Sequence, residues 1–270
     1  MIEFKHWNEY GIRVGFTERT GGLSTESFSS LNLGLHVSDE YNCVIENRKL
    51  MCTEIGVPFE AMTFADQVHG VHVHVVGMNE RGRGRLTIED ALAKADVLVT
   101  KEKDILLSAV FADCVPLWFA DHEAGVIAVA HAGWRGTVAG VAKETIRVMI
   151  EQCGARLERI EAIIGPSIGG CCYEVDQKVA DAVMPWLADL DENTIKSIIH
   201  SSNLTDRLHL DLKQLNRQII ISIGVSPKVV TVSSDCTSCD TARFYSHRAE
   251  HGRTGRMAGW IIRTETEVVT

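Results

Sequence analysis

The stretch Phe111–Gly136, FADCVPLWFADHEAGVIAVAHAGWRG, sets a cysteine, Cys114, at the head of one apolar strand-like run and a histidine, His131, at the end of another. The runs Gly125–His131 and Ile105–Phe111 are largely apolar at consecutive positions, the pattern of strands covered on both faces, so function is expected in the loops at their ends. If the strand ends are neighbours, Cys114 and His131 meet. Another histidine, His69, stands in Asp66-Gln-Val-His-Gly70 at a strand entrance. One thiolate and two imidazoles suffice to hold zinc with its fourth position open, as in a catalytic site.

Around this stretch, strand-like runs are expected at Ile12–Thr17, Val71–Val76, Val97–Thr100, Ile105–Phe111, Val115–Ala120, Val126–His131, Ala162–Gly165 and Lys228–Ser233, from β-branched enrichment and turn-rich flanks. Helices are expected over Thr137–Cys153, Val44–Ile55 with Asn42 as N-cap, Val179–Leu190 with a kink or split at Pro185, and Leu210–Ile223. Strands cluster and do not strictly alternate with helices, which predicts an α+β fold with mixed sheets. No repeat or Pro/Ser-rich linker interrupts the 270 residues, so a single domain over 1–270 is expected.

With 45% hydrophobic and 23% charged residues the composition is that of a soluble globular protein. A formal net charge of −9 argues against nucleic acid or an anionic membrane as partner. An anionic substrate must then be met by a local cluster of arginines. No run approaches the roughly 18 apolar residues of a membrane helix, and the N-terminus lacks a secretory pattern, so the chain reads as cytoplasmic. Eight cysteines in such a chain point to core thiols and ligands, not disulfides. Cys43, Cys52 and Cys153 read as buried hydrophobes. Cys171, Cys172, Cys236 and Cys239 do not have the pair spacing of about 15–20 residues that a zinc ribbon needs, and are read as packing thiols as well.

His72 and His74 alternate in Val71-His-Val-His-Val75 and fit the polar outer face of a strand. His69 and His131 differ, since the first precedes Gly70 and the second ends an apolar run followed by Ala132-Gly133-Trp134-Arg135-Gly136, where two glycines let backbone approach a ligand closely. Asp113, beside Cys114, is a candidate proton-handling group or a support for the ligands. Arg19, Arg135, Arg248 and Arg256 stand in turns, and Arg48 in a helix, where a guanidinium could hold an anion. The candidate substrate-binding set is Arg19, Asn32, Arg48, Gln67 and Arg135. The deaminase pattern His-x-Glu with Pro-Cys-x-x-Cys is missing, as is a phosphate loop. Gly165-Pro-Ser-Ile-Gly169 matches the hydrolase elbow, yet its proline and the lack of a following helix pattern make it a turn.

Taken together, Phe16-Thr-Glu-Arg-Thr-Gly-Gly22, Leu31-Asn-Leu-Gly-Leu-His-Val37, Gln67-Val-His-Gly70, Ala112-Asp-Cys-Val-Pro116, His131-Ala-Gly-Trp-Arg-Gly136, Cys171-Cys-Tyr-Glu-Val175, Cys236-Thr237 and Thr254-Gly-Arg256 closely resemble the bacterial YfiH/YlmD-type family, relatives of mammalian FAMIN. That family has carried the labels polyphenol oxidase (laccase), peptidoglycan editing factor and purine nucleoside phosphorylase. Departures are few: Ser167, Ser38 and Ala249 stand where cysteine, glycine and arginine are frequent. The resemblance implies a four-layer α-β-β-α fold and zinc on His69, Cys114 and His131. It also implies phosphorolysis of adenosine, inosine, guanosine or methylthioadenosine, with adenosine deamination alongside. Two rivals share the ligand set. Copper oxidation of phenols fits two histidines and a cysteine, but a laccase needs repeated His-x-His pairs and only His72-Val-His74 occurs. A Cys114–His131 amide hydrolase acting on cell-wall precursors would instead use covalent catalysis.

Overall fold

The computed structural model describes residues 1–204 and 206–265. In chain order its strands are β1 (Ile2–Phe4), β2 (Ile12–Phe16), β3 (Met62–Phe64), β4 (Val73–Val75), β5 (Val97–Thr100), β6 (Leu106–Phe111), β7 (Val115–Asp121), β8 (Val126–Ala132), β9 (Glu161–Ile164), β10 (Glu174–Val175), β11 (Ile199–Ser201), β12 (Leu208–Leu210), β13 (Val230–Val232) and β14 (Met257–Arg263). The α-helices are α1 (Tyr41–Ile55), α2 (Trp134–Val138), α3 (Val141–Glu151), α4 (Gln177–Val183), α5 (Glu192–Ile198) and α6 (Leu212–Ser222).

Two mixed sheets dominate, ordered β13-β9-β7-β8-β5-β4 and β1-β2-β14-β6-β3, with a small sheet β10-β12-β11 at the side. The alternation of β7 and β8 explains their uninterrupted apolar sequence. Leu117, Phe119, Ala128 and Ala130 pack against Val141, Ile146 and Met149 of α3 and Leu215 and Ile219 of α6. Trp118, Ala120, Ile127 and Val129 face the other way, onto Val14, Phe16, Leu107, Phe111 and Ile261 of the five-stranded sheet. That sheet's outer face, through Leu106, Trp260 and Ile262, is covered by Met51, Cys52 and Ile55 of α1. The layers therefore run helix, sheet, sheet, helix, as the resemblance implied. Among the described residues no helix is long and apolar enough to cross a membrane.

All eight expected strands form, with ends shifted by a few residues. Three helix expectations are corrected. The segment 137–153 is split, because Gly140 adopts φ 86° between α2 and α3. Helix α1 starts at Tyr41, so Asn42 lies inside it and is not the N-cap. Leu210 ends β12, and Asp211 caps α6 by accepting from the Gln214 N–H. Pro185 does end α4, in a short 3₁₀ turn over Met184–Trp186.

Strand β14 is a further finding, and it is central, paired with both β2 and β6. Its Gly259 counts against a strand by propensity. Here, however, a Cβ at Gly259 would lie 2.9 Å from the Phe111 ring and 3.0 Å from Trp118. The same device recurs across the pair Gly15 and Trp260, where a Cβ would fall 2.4 Å from the indole. Trp260 is fully buried and held between α1 and the sheet. Gly15→Ala should therefore lower the unfolding free energy by about 1–3 kcal/mol by overpacking. A urea midpoint equal to that of the parent protein would show that Trp260 swings aside without cost.

Candidate metal centre

Strand register assembles the candidate ligands. In the antiparallel pair β7 and β8, Pro116 stands opposite His131 and Val115 opposite Ala132, which brings Cys114, just before β7, to the same strand end and face as His131. On the other side of β8, Val97 of β5 pairs with Ala130, and the His131 N–H donates to the Asp96 carbonyl at 2.8 Å. Asp96 and His131 are thus cross-strand neighbours. The segment carrying His69 enters β4, which lies parallel to β5. His69, Cys114 and His131 converge so that one ligand atom from each lies within 4.8 Å of the others. The two rings meet edge to face with centroids 4.8 Å apart.

Asp96 joins these segments. Its carboxylate accepts from the N–H groups of Val68 at 3.2 Å, His69 at 2.9 Å and Gly70 at 2.7 Å, and from Nδ1 of His131 at 2.9 Å. Burial alone would push the Asp96 carboxyl up, but these donors hold it below the ordinary carboxylate range. With Nδ1 on the carboxylate, Nε2 of His131 is the nitrogen left for a metal, the usual carboxylate–histidine arrangement around zinc. Burial would also raise the Cys114 thiol, but the His131 and His69 rings outweigh it and bring the thiol down to about 6. Burial likewise disfavours His131⁺, and the Cys114 thiolate with Asp96 overcomes this, raising the ring to about 9. A thiolate facing two imidazoles, one of them oriented by a carboxylate, is a donor set suited to zinc.

Backbone shape contributes to the convergence. His69 and Asp113 both hold left-handed backbone, with φ of 61° and 89°, a conformation costing about 1–3 kcal/mol where nothing compensates it. The three N–H donors to Asp96 hold the first. Asp113 is held by its own carboxylate, which accepts from Thr237 Oγ1 at 2.6 Å and the Arg248 N–H at 2.7 Å. With both oxygens so engaged, Asp113 acts as a support for the Cys114 turn and the Arg248 segment. Gly133 lets the backbone pass the ligands: a Cβ there would lie 3.1 Å from Cys114 Sγ and 3.3 Å from the His69 ring.

The triad lies at the wall of a cavity of about 520 Å³. Leu35, Phe64, Ile88, Val110, Ile168 and Tyr173 give it apolar surface, while Arg48, Arg248, Arg256, His36 and His247 bring cationic and imidazole groups. Gln67 and Asp113 also line it, and Gln67 is fixed by paired hydrogen bonds with the Val110 backbone. Arg19, Asn32 and Arg135 do not line it. Arg19 is committed to the carbonyls of Ser29 and Thr241 and to Glu250. Asn32 braces a turn, binding the Gly34 and Arg256 N–H groups and Asp39. Arg135 is exposed on α2, over Trp134. Arg48 reaches the cavity wall, but its guanidinium spans the carbonyls of Leu33, Gly84 and Arg85, and burial pushes it down to about 9. Cys171, Cys172, Cys236 and Cys239, expected to be packing thiols, instead lie together, Cys171 and Cys239 being exposed.

Two outcomes follow from the triad. If the triad takes up zinc, Asp96→Asn should weaken that binding about 10- to 100-fold, as seen by chelator competition, because the ring loses its orienting anion; an unchanged affinity would remove Asp96 from the centre. In metal-free protein the Cys114 thiolate forms as pH rises through about 6. Alkylation of the Cys114 peptide, followed by mass spectrometry, should therefore rise with that midpoint and be nearly complete at pH 7. A midpoint in the ordinary thiol range would separate Cys114 from the two rings.

The chain's relatives agree with this architecture. A family model described as multi-copper polyphenol oxidoreductase laccase matches residues 13–264. The chain is 40% identical over 257 residues to "Purine nucleoside phosphorylase YlmD" of Bacillus subtilis, covering 94% of this chain and 89% of that protein. It is 32% identical over 253 residues to "Adenosine deaminase RL5" of an unknown prokaryotic organism, covering 94% of each. Among solved structures, YfiH of Bacillus licheniformis superposes with a TM-score of 0.90 at 37% identity, covering 97% of this chain and 96% of that one. With nearly the whole length matched in both sequence and fold, the chain belongs to the YfiH/YlmD-type, laccase-domain family.

Proposed function

We propose that the protein is a zinc-dependent, cytoplasmic purine nucleoside phosphorylase with adenosine deamination as a companion activity. The observation that carries this reading is the cavity itself, where a His69, Cys114 and His131 cluster stands beside an apolar wall and three arginines. The names of the relatives from Bacillus subtilis and the unknown prokaryote support the same two reactions. When bound by the triad, zinc supplies Lewis acidity and lowers the pKa of water toward neutrality.

The apolar residues, with Phe64 and Tyr173, offer surface for a purine. In phosphorolysis a phosphate oxygen bonds to the sugar's anomeric carbon as the bond from that carbon to N9 breaks. The electron pair leaves with the base, which gains the proton that the phosphate gives up as it becomes the ester, so inosine yields hypoxanthine and ribose 1-phosphate. Arg256 and Arg248 are the arginines assigned to phosphate. Arg256 spends Nη1 on the Thr254 and Gly255 carbonyls, and Nε and Nη2 make no hydrogen bond among the described residues. Arg248 lies over the Tyr173 ring and gives Nη1 to the Glu174 carbonyl. These two replace Arg19 as phosphate partners, while Arg48 adds charge to the wall. Burial, followed by Arg256 and Arg48, pushes His36 down to about 4, so it stays neutral at pH 7 and can hydrogen-bond to substrate without repelling the arginines. In deamination, water adds at C6 of adenosine and ammonia leaves, giving inosine.

The copper rival gains little from the structure. Among the described residues, His72 and His74 join no ligand cluster, and His74 is paired with Glu80 at 2.7 Å.

Inosine with and without phosphate is the test. Hypoxanthine should appear only with phosphate, and His131→Ala or a zinc chelator should abolish it. Arg256→Ala should lower kcat/KM for phosphate about 10- to 100-fold, the worth of a charge-assisted hydrogen bond. Release that ignores phosphate would overturn phosphorolysis. Activity that survives chelation but is lost on Cys114 alkylation would overturn the zinc dependence and assign catalysis to the thiol.

A further inference from the structure

The geometry points to a second metal site, a tetrathiolate centre for zinc formed by Cys171, Cys172, Cys236 and Cys239. All four Sγ atoms lie within 4.8 Å of one another. Cys239 Sγ is 3.4 Å from Cys171 Sγ and 3.3 Å from Cys172 Sγ. Zinc bound at about 2.3 Å to four sulfurs sets them about 3.8 Å apart, so the four atoms are near tetrahedral spacing. Packing does not account for them. A cysteine that only fills core is buried, yet Cys171 and Cys239 are exposed and Cys172 and Cys236 half-buried. A disulfide would draw Cys239 onto one partner at about 2.05 Å, whereas its sulfur stands almost equally far from Cys171 and Cys172.

The two segments are built to face one another. One follows β9 and the other follows β13, its parallel neighbour. Beyond the strands, Ser167 and Cys236 continue the pairing as an isolated bridge, and the Thr237 N–H donates to the Ser167 carbonyl at 3.0 Å. The Gly169 N–H donates to Cys236 Sγ at 3.2 Å, a backbone bond that stabilises thiolate. A Cβ at Gly169 would come 3.2 Å from Cys171 Sγ and 3.5 Å from Cys236 Sγ, so glycine leaves the sulfurs their room. Soft thiolates in a four-fold set select zinc over hard cations.

The site has a mechanical consequence. The segment after β9 carries Ile168 and Tyr173 into the cavity wall, and the segment after β13 carries Thr237, which holds Asp113. An ion binding both segments fixes that wall without touching substrate. The inference does not rest on the reaction proposed above.

Zinc content and sulfur coordination test it in the intact protein, purified without chelator after growth in zinc. Two zinc per chain are expected, and X-ray absorption should give about 2.5 sulfur ligands per zinc, the average of a four-sulfur and a one-sulfur site. One zinc with about one sulfur per ion would overturn the proposal, as would an iron–thiolate absorbance or a mass showing a disulfide among these cysteines. Cys239→Ser should lose one zinc equivalent and keep the other, while His131→Ala should do the reverse. If either variant fails to fold, the wild-type sulfur count still decides.

Discussion

A single buried carboxylate holds the site together. The side chain of Asp96 is wholly shielded from solvent, and burying an unpaired charge of that kind costs several kcal/mol. It persists because three consecutive backbone N–H groups and the His131 ring surround it. The same contacts fix both histidines at once, one through its backbone and one through its ring. Position in the ladder makes this possible: Asp96 is one residue before β5, and the register of β5 against β8 sets it opposite His131. Removing either partner strands a charge in a dry interior, so the carboxylate and the imidazoles are energetically one unit.

Around that unit the electrostatics run against the protein's overall sign. The chain carries −9, yet the cavity gathers Arg48, Arg248 and Arg256 with two further histidines. Such a cluster repels itself, and burial deepens the conflict, pushing both Arg48 and Arg256 below the ordinary guanidinium range. Arg48 resolves it through three backbone carbonyls and the face of Phe64, 4.1 Å away. Arg256 is less fully compensated, with Nε and Nη2 making no hydrogen bond among the described residues, whereas Arg19 is already neutralised by Glu250.

Much of this was legible in the sequence, for identifiable reasons. The doubly apolar runs of β7 and β8 announced a covered sheet, and their end residues, Cys114 and His131, were unusual for such runs. Two local anomalies thus located the site. Asp96 carried no such mark, being one acidic residue before a strand, and only the register reveals its partner. The four thiols were hidden by distance, since Cys172 and Cys239 are 67 residues apart and no local spacing rule joins them. Strand β14 was masked by a glycine whose reason is the aromatic ring of another strand. For the arginines, residue type showed that an anion could be held but not which guanidiniums the backbone had already claimed.

The two clusters gather three and four candidate ligands, and each has a glycine beside it. Continuing the β7 and β8 register beyond Pro116 and His131 sets Gly133 opposite Cys114. A side chain there would rise against Cys114 Sγ and the His69 ring and crowd both. Glycine leaves both groups their room, and His69, Cys114 and His131 stand together on the cavity wall as three candidate ligands. At the four-thiol cluster, Gly169 does the same, clearing space in which Cys171 and Cys236 approach each other. One glycine leaves a cysteine and a histidine open to the cavity; the other lets four thiols come together.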